Sequence, residues 1–280
     1  MAKSNLFEGV ESVPGAHKPD PILIAQGVRR TFGGLVAVNV DHFEAQRHAI
    51  TALIGPNGAG KSTFFNLLTG FDNPQEGTGT FDGRSLRGMR SAQVARAGMV
   101  RTFQLTKALS RMTVIENMRL GAQEQGGENF ARALVAPLWQ KREAEITEQA
   151  EELLSRFKLI EKRNDYAGSL SGGQRKLLEM ARALMSKPTM IMLDEPMAGV
   201  NPALTESLLD HIVALRDEGV TVLFVEHDMH MVRRISDWVV VMAEGRIIAE
   251  GDPHEVMRNQ AVQDAYLGSH HDTDLFEERS

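Results

Sequence analysis

Three short runs in this chain have the residue types for phosphate chemistry. In the first, Gly55, Pro56, Asn57, Gly58, Ala59, Gly60, Lys61, Ser62 and Thr63 fit the pattern G-x-x-x-x-G-K-[ST] and extend it by one residue. Glycines in such a loop let backbone N–H groups wrap the phosphates of a nucleotide. Lys61 then bridges the outer phosphates, and the Ser62 hydroxyl completes the shell of a Mg²⁺ ion. In the second run, an apolar stretch at 190–193 delivers Asp194 and Glu195 ahead of Pro196. An acid at a strand tip beside a phosphate loop is placed to support Mg²⁺, which assigns Asp194. Glu195, where the chain leaves the strand, is the candidate to polarise an attacking water. In the third run, Ser171, Gly172, Gly173 and Gln174 precede a helical pattern. Ser171 can cap that helix, and the glycines expose its positively polarised end, a second phosphate-binding terminus.

Each run needs an element to hold it. Residues 49–54 read as a buried strand entering the first loop, and Phe64, Phe65, Leu67 and Leu68 give a helix leaving it, with Gly70 as its cap. Further β-branched apolar runs at 22–25, 190–193, 220–225 and 239–242 predict buried strands of an α/β sheet. Between about 116 and 162 strand signals vanish. Ile146, Ala150, Leu153, Leu154 and Phe157 recur at helical spacing, and Leu177, Leu178, Ala181, Leu184 and Met185 do so again before Pro188. The expectation is an α/β core with an inserted helical subdomain at about 116–187. Residues 1–20, with Pro14, Gly15 and Pro19, are expected to form a disordered tail, and 269–280 a second one.

Composition sets limits. The chain has 280 residues, 42% hydrophobic and 24% charged, in the range of a soluble globular protein. It has no cysteine, which rules out disulfides and thiolate metal sites and fits a reducing cytoplasm. Net charge is −6, which argues against a nucleic-acid partner. The longest apolar runs are strand-sized, so a role at a membrane has to come through a partner protein.

The order GPNGAGKST, LSGGQ, MIMLDEP resembles the ATP-binding subunit of ABC transporters over about residues 21–268. That resemblance implies a P-loop NTPase of ABC type, with ATP and Mg²⁺ bound by a head-to-tail pair of subunits. Each ATP would lie between the phosphate loop of one subunit and Ser171–Gln174 of the other. By matching, Phe32 stands where the family stacks a ring on adenine, commonly a Tyr. Gln104 matches the glutamine that senses Mg²⁺ and the attacking water and links to the membrane partner. His227 matches the switch histidine at the γ-phosphate. Asn201 replaces the family's usual Asp after the acid pair, which removes a charge from that position.

The segments Phe32-Gly33-Gly34-Leu35-Val36, Val100-Arg101-Thr102-Phe103-Gln104, Met112-Thr113-Val114-Ile115-Glu116-Asn117 and Ala265-Tyr266-Leu267-Gly268 look like the ATPases of branched-chain amino acid importers. The LSGGQ is intact, although that branch often carries a divergent version. Urea importers and the lipopolysaccharide-extracting ATPase share parts of the pattern, and an ABC ATPase of a soluble complex is a further alternative. By the resemblance, the stretch of roughly 45 residues after Gln104 that carries Phe130, Leu134, Leu138 and Trp139 is long for the lipopolysaccharide branch, which favours an importer. The resemblance implies a second ABC ATPase subunit, homo- or heterodimeric, transmembrane permease subunits, a separate substrate-binding protein, and a location at the inner face of the cell membrane.

Overall fold

Five strands with almost no exposed side chain build the sheet that carries the phosphate loop. A computed structural model describes residues 6–102, 107–122 and 136–267, with backbone only at 107, 108 and 136–140. Strands β3 (Ile50–Ile54), β6 (Met99–Arg101), β7 (Met190–Asp194), β8 (Thr221–Val225) and β9 (Trp238–Ala243) join β10 (Arg246–Gly251) in one sheet, ordered β10-β9-β3-β8-β7-β6. All neighbours are parallel except the β9–β10 hairpin. Strands β3, β8 and β7 therefore lie side by side and end on the same edge, the usual position of a ligand site in such a sheet.

A second, antiparallel sheet was largely hidden from the sequence. It is ordered β2-β1-β4-β5, with β1 at Pro21–Phe32, β2 at Leu35–Gln46, β4 at Glu76–Phe81 and β5 at Arg84–Ser85. Only the apolar start of β1 was expected. The remainder is interrupted by Arg29, Arg30, Asn39, His42, Glu44 and Gln46, which mask the alternation. Gly33 and Gly34 both have positive φ (51° and 93°) and close the β1–β2 hairpin in two residues. Phe43, Phe64, Phe65 and Phe81 are fully buried within one core, and Phe43 meets Phe64 edge-on at 5.3 Å.

The N-terminal arm differs from the expected disordered tail. From Phe7 to Asp20 the described residues are held against this core. Lys18 is buried, donates to Glu250 Oε2 at 2.8 Å and to the Ala16 carbonyl at 2.6 Å, and lies over the Trp238 ring. Trp238 Nε1 donates to the same Glu250 oxygen, the Ala16 amide to the other, and Phe7 stacks on Trp238 at 4.7 Å. Isolated anchors of this kind have no periodicity, so a proline- and glycine-rich arm reads as loose until its partners are known. Residues 268–280 lie outside the described residues.

The chain divides into two compact units: 1–101 with 189–196 and 209–280, and 102–188 with 197–208. In the second, the helices Val114–Leu120, Ala136–Arg156 and Gly172–Leu184 pack on one another. Ile146, Ala150, Leu154 and Phe157 are buried, and Leu153 partly so, along one face of the long helix. Thr113 and Glu116 form a capping box that starts the helix Val114–Leu120, so part of the Met112–Asn117 signature is local helix chemistry.

Candidate nucleotide site

The phosphate loop hangs from the end of β3 and leads into the helix Lys61–Leu68. Two of its glycines, Gly55 and Gly60, are required by space as well as by conformation. A Cβ on Gly55 would fall 2.0 Å from the Met242 carbonyl oxygen, and one on Gly60 2.3 Å from that of Ala37. Gly55 and Gly60 have φ of 147° and 98°. Gly60 is the helix N-cap and supplies no side-chain hydrogen bond, so the first turn keeps its N–H groups for an anion. The Lys61 ammonium folds back onto the carbonyls of Gly55 (2.6 Å) and Pro56 (3.0 Å). Burial pushes it below the usual lysine range, while Glu195 and Asp194 oppose that through their charge. Asn57, Gly58 and Ser62 are exposed, Pro56 and Thr63 partly so, and Ala59 is buried.

Both acids are thus within electrostatic reach of Lys61. Asp194 ends β7, and Glu195 follows it with φ of 44°, a left-handed conformation that glutamate rarely adopts. The Glu195 amide donates to the Val225 carbonyl at 3.1 Å, which ties the exposed carboxylate to the end of β8. His227 comes two residues after β8 and is exposed, beside the buried Glu226, whose carboxylate accepts the His227 amide. Phosphate loop, acid pair and histidine thus come from three neighbouring strands. Phe32, at the tip of the β1–β2 hairpin, is 48% exposed with the Arg30 guanidinium 4.7 Å from its ring centre. One ring face is thus backed by a cation.

Arg101 was not singled out as a site residue. Its guanidinium donates to Asp194 Oδ2 and, at 2.7 Å, to Asn66 Oδ1 on the phosphate-loop helix. It therefore fixes the acid relative to the loop. An Arg in an apolar strand beside the strand that carries the acid was the available signal. Gln104 lies outside the described residues, as do Phe130 and Leu134, and the side chains of Leu138 and Trp139 are not described.

In the second unit, Ser171 caps Gly172–Leu184. Its hydroxyl accepts the Gln174 amide at 3.3 Å, and Gln174 Oε1 accepts the Ser171 amide at 3.0 Å. The expected Ser171 cap is present; the expected bare end is narrowed by it, because Ser171 and Gln174 are engaged with each other. Gly173 packs where a Cβ would meet Leu204 Cδ1 at 2.5 Å. Asn201 Oδ1 accepts the Leu204 amide at 2.9 Å and caps Pro202–Asp217, a role the neutral amide fills without a charge.

Ser62, Asp194 and Glu195 offer hard oxygen donors of the type Mg²⁺ takes, beside a helix N-terminus without a side-chain cap and the half-buried Lys61 ammonium, which rests on its own loop carbonyls. That donor set fits a magnesium nucleotide.

The family described as "ABC transporter" matches residues 38–198, and "Branched-chain amino acid ATP-binding cassette transporter" matches 246–272. The chain is 42% identical over 250 residues to the high-affinity branched-chain amino acid transport ATP-binding protein BraF of Pseudomonas aeruginosa, covering 89% of this chain and 98% of that one. With LivG of Escherichia coli K12, of the same description, it shares 41% over 250 residues with the same coverage. Among solved structures it resembles a nucleotide-free ATP-binding cassette from an ABC transporter (TM-score 0.78, 36% identity, 88% and 98% of the two chains). It also resembles the ADP conformation of such a cassette (TM-score 0.78, 37% identity, 89% and 99%).

Proposed function

The chain belongs to the ABC transporter family as an ATP-hydrolysing cassette, and we propose that it powers import of branched-chain or other hydrophobic amino acids. The observation that carries this cargo is the match of residues 246–272, which lies outside the common cassette at 38–198. Among the described residues no helix is long and apolar enough to cross a membrane. The proposed assembly accordingly contains a second cassette, transmembrane permease subunits and a separate substrate-binding protein, with this chain at the inner face of the membrane.

Phosphoryl transfer to water depends on positioning and charge stabilisation. Lys61 and the backbone amides at the loop's helix end, Gly60 to Thr63, bind the outer phosphates, exchanging the loop carbonyls that hold the ammonium for phosphate oxygens. Ser62 and Asp194 would hold Mg²⁺, whose charge neutralises the phosphates when bound. Arg101 orients Asp194. Glu195 directs the water, held by the backbone bond to Val225 in a conformation that turns the chain sharply after β7. His227 contacts the γ-phosphate, Phe32 carries the adenine, and Gln104 senses the loaded site for the permease. Ser171, Gly172, Gly173 and Gln174 complete the site of the opposite subunit. Loss of the γ-phosphate removes what joins the two subunits, so hydrolysis becomes motion.

The test is a mild-detergent isolation of tagged Glu195→Gln chain with ATP, followed by reconstitution of what accompanies it. Two polytopic membrane proteins, a second ATPase and stimulation by a leucine-loaded binding protein are expected. A soluble complex would overturn the transport reading, and stimulation by urea instead of leucine would overturn the cargo.

A further inference from the structure

We propose that His17, His42 and Glu44 form a site for one divalent transition-metal ion of the zinc class, sharing no residue with the nucleotide site. His42 and Glu44 are two apart on β2 and so face the same side. His17 reaches them from the N-terminal arm, one residue before the buried Lys18. Nδ1 of His17 and Nε2 of His42 each lie 2.9 Å from the same oxygen, Glu44 Oε1, and the three donor atoms are all within 4.8 Å of one another. The rings stand 4.5 Å apart at 56°.

Two observations show that this convergence is built. Glu44 is buried, and its second oxygen accepts the Lys18 amide, so one carboxylate both anchors the arm and presents Oε1. Gly15, at φ of 76°, turns the arm where a Cβ would press on His42 at 3.2 Å.

Tetrahedral zinc bonds of about 2.0–2.2 Å set neighbouring donors about 3.3–3.6 Å apart, so an ion enters if each imidazole moves roughly 0.5 Å from Oε1 and the two nitrogens settle at that same spacing. Two imidazoles and one carboxylate suit zinc, with water as fourth ligand; Mg²⁺ and Ca²⁺ call for more oxygens. The His17 side chain is 82% exposed, leaving a solvent side for that water. A bound ion would tie the arm to β2.

The experiment uses the full chain without a histidine tag and without nucleotide. His270 and His271, outside the described residues, are changed to Ala to remove competing imidazoles. Equilibrium dialysis against zinc chloride should give one ion per chain, and cobalt(II) should give the visible absorption of a tetrahedral site. At free zinc about 100 times Kd, melting should rise by about 5 °C or more. His17→Ala leaves the core intact, and should weaken zinc binding at least ~10-fold and abolish the melting shift; His42→Gln should do the same. Absence of stoichiometric zinc, or equal zinc binding by both variants, would overturn the site.

Discussion

Two glycine-rich helix starts in this chain have the same kind of sequence and opposite local chemistry. At Gly60 the N-cap offers no side chain, and every Cβ added at Gly55 or Gly60 strikes a backbone carbonyl. At Ser171 the helix caps itself with a reciprocal Ser171–Gln174 pair, and a Cβ on Gly173 would first meet side-chain atoms, the Leu204 Cδ1 methyl at 2.5 Å, rather than backbone. The first is a rigid anion cradle formed before any ligand arrives. The second is stabilised on its own and has to exchange its capping bonds, or lend only its remaining amides, when a phosphate approaches. A glycine motif therefore states that backbone can come close; the neighbours decide to what.

The largest test of that contrast is Gly60→Ala against Gly173→Ala. Two or three charge-assisted bonds lost from the cradle, at about 2 kcal/mol each, predict ATP binding weakened about 10³–10⁴-fold in the first. The second should bind ATP in the isolated chain as wild type does. Equal losses, measured by nucleotide titration of folded protein, would erase the distinction.

Glu195→Gln sharpens the boundary between binding and chemistry. Turnover should fall about 10²-fold or more with ATP affinity retained. Wild-type turnover would remove Glu195 from the role of base.

Lys61 tests the cradle through pH. Burial lowers its pKa below the usual lysine range in the free chain, whereas bound phosphate favours the charged form. ATP affinity should therefore be constant at low pH and decline as pH rises through that depressed pKa, before an ordinary lysine would titrate. Lys61→Ala should lower affinity about 10–100-fold and flatten this limb; an unaltered limb would mean another group titrates.

A smaller effect is expected at Arg101. Arg101→Gln should raise the Mg²⁺ requirement of the ATPase about 10-fold, with partial rescue by Arg101→Lys, because Asp194 loses its orienting partner. An unchanged magnesium dependence would make Arg101 a packing residue only. The smallest is Ser171→Ala, expected to cost about 1 kcal/mol of stability through the lost cap while nucleotide affinity of the isolated chain stays unchanged.

How much of this was legible depended on what masks a pattern. Strands β3, β7, β8 and β9 are nearly all apolar because residues on both faces are buried, and each was visible as a run. Strands β2 and β10 carry buried polar groups such as Glu44, Gln46 and Glu250, and β4 is largely exposed Glu, Gly and Thr, so none of the three reads as an apolar run. The phosphate loop and the acid pair were readable because their chemistry fixes residue types at fixed spacing. The left-handed Glu195, the Arg101–Asp194 bond and the anchored arm depend on partners 30 to about 230 positions away, which no local window contains.

Sedimentation of the Glu195→Gln chain with and without ATP and Mg²⁺ tests most directly the claim that the two helix starts serve one nucleotide from opposite subunits. A dimer should form only with ATP and dissociate when the nucleotide is exchanged for ADP. A chain that binds ATP yet remains a monomer at every concentration would contradict it.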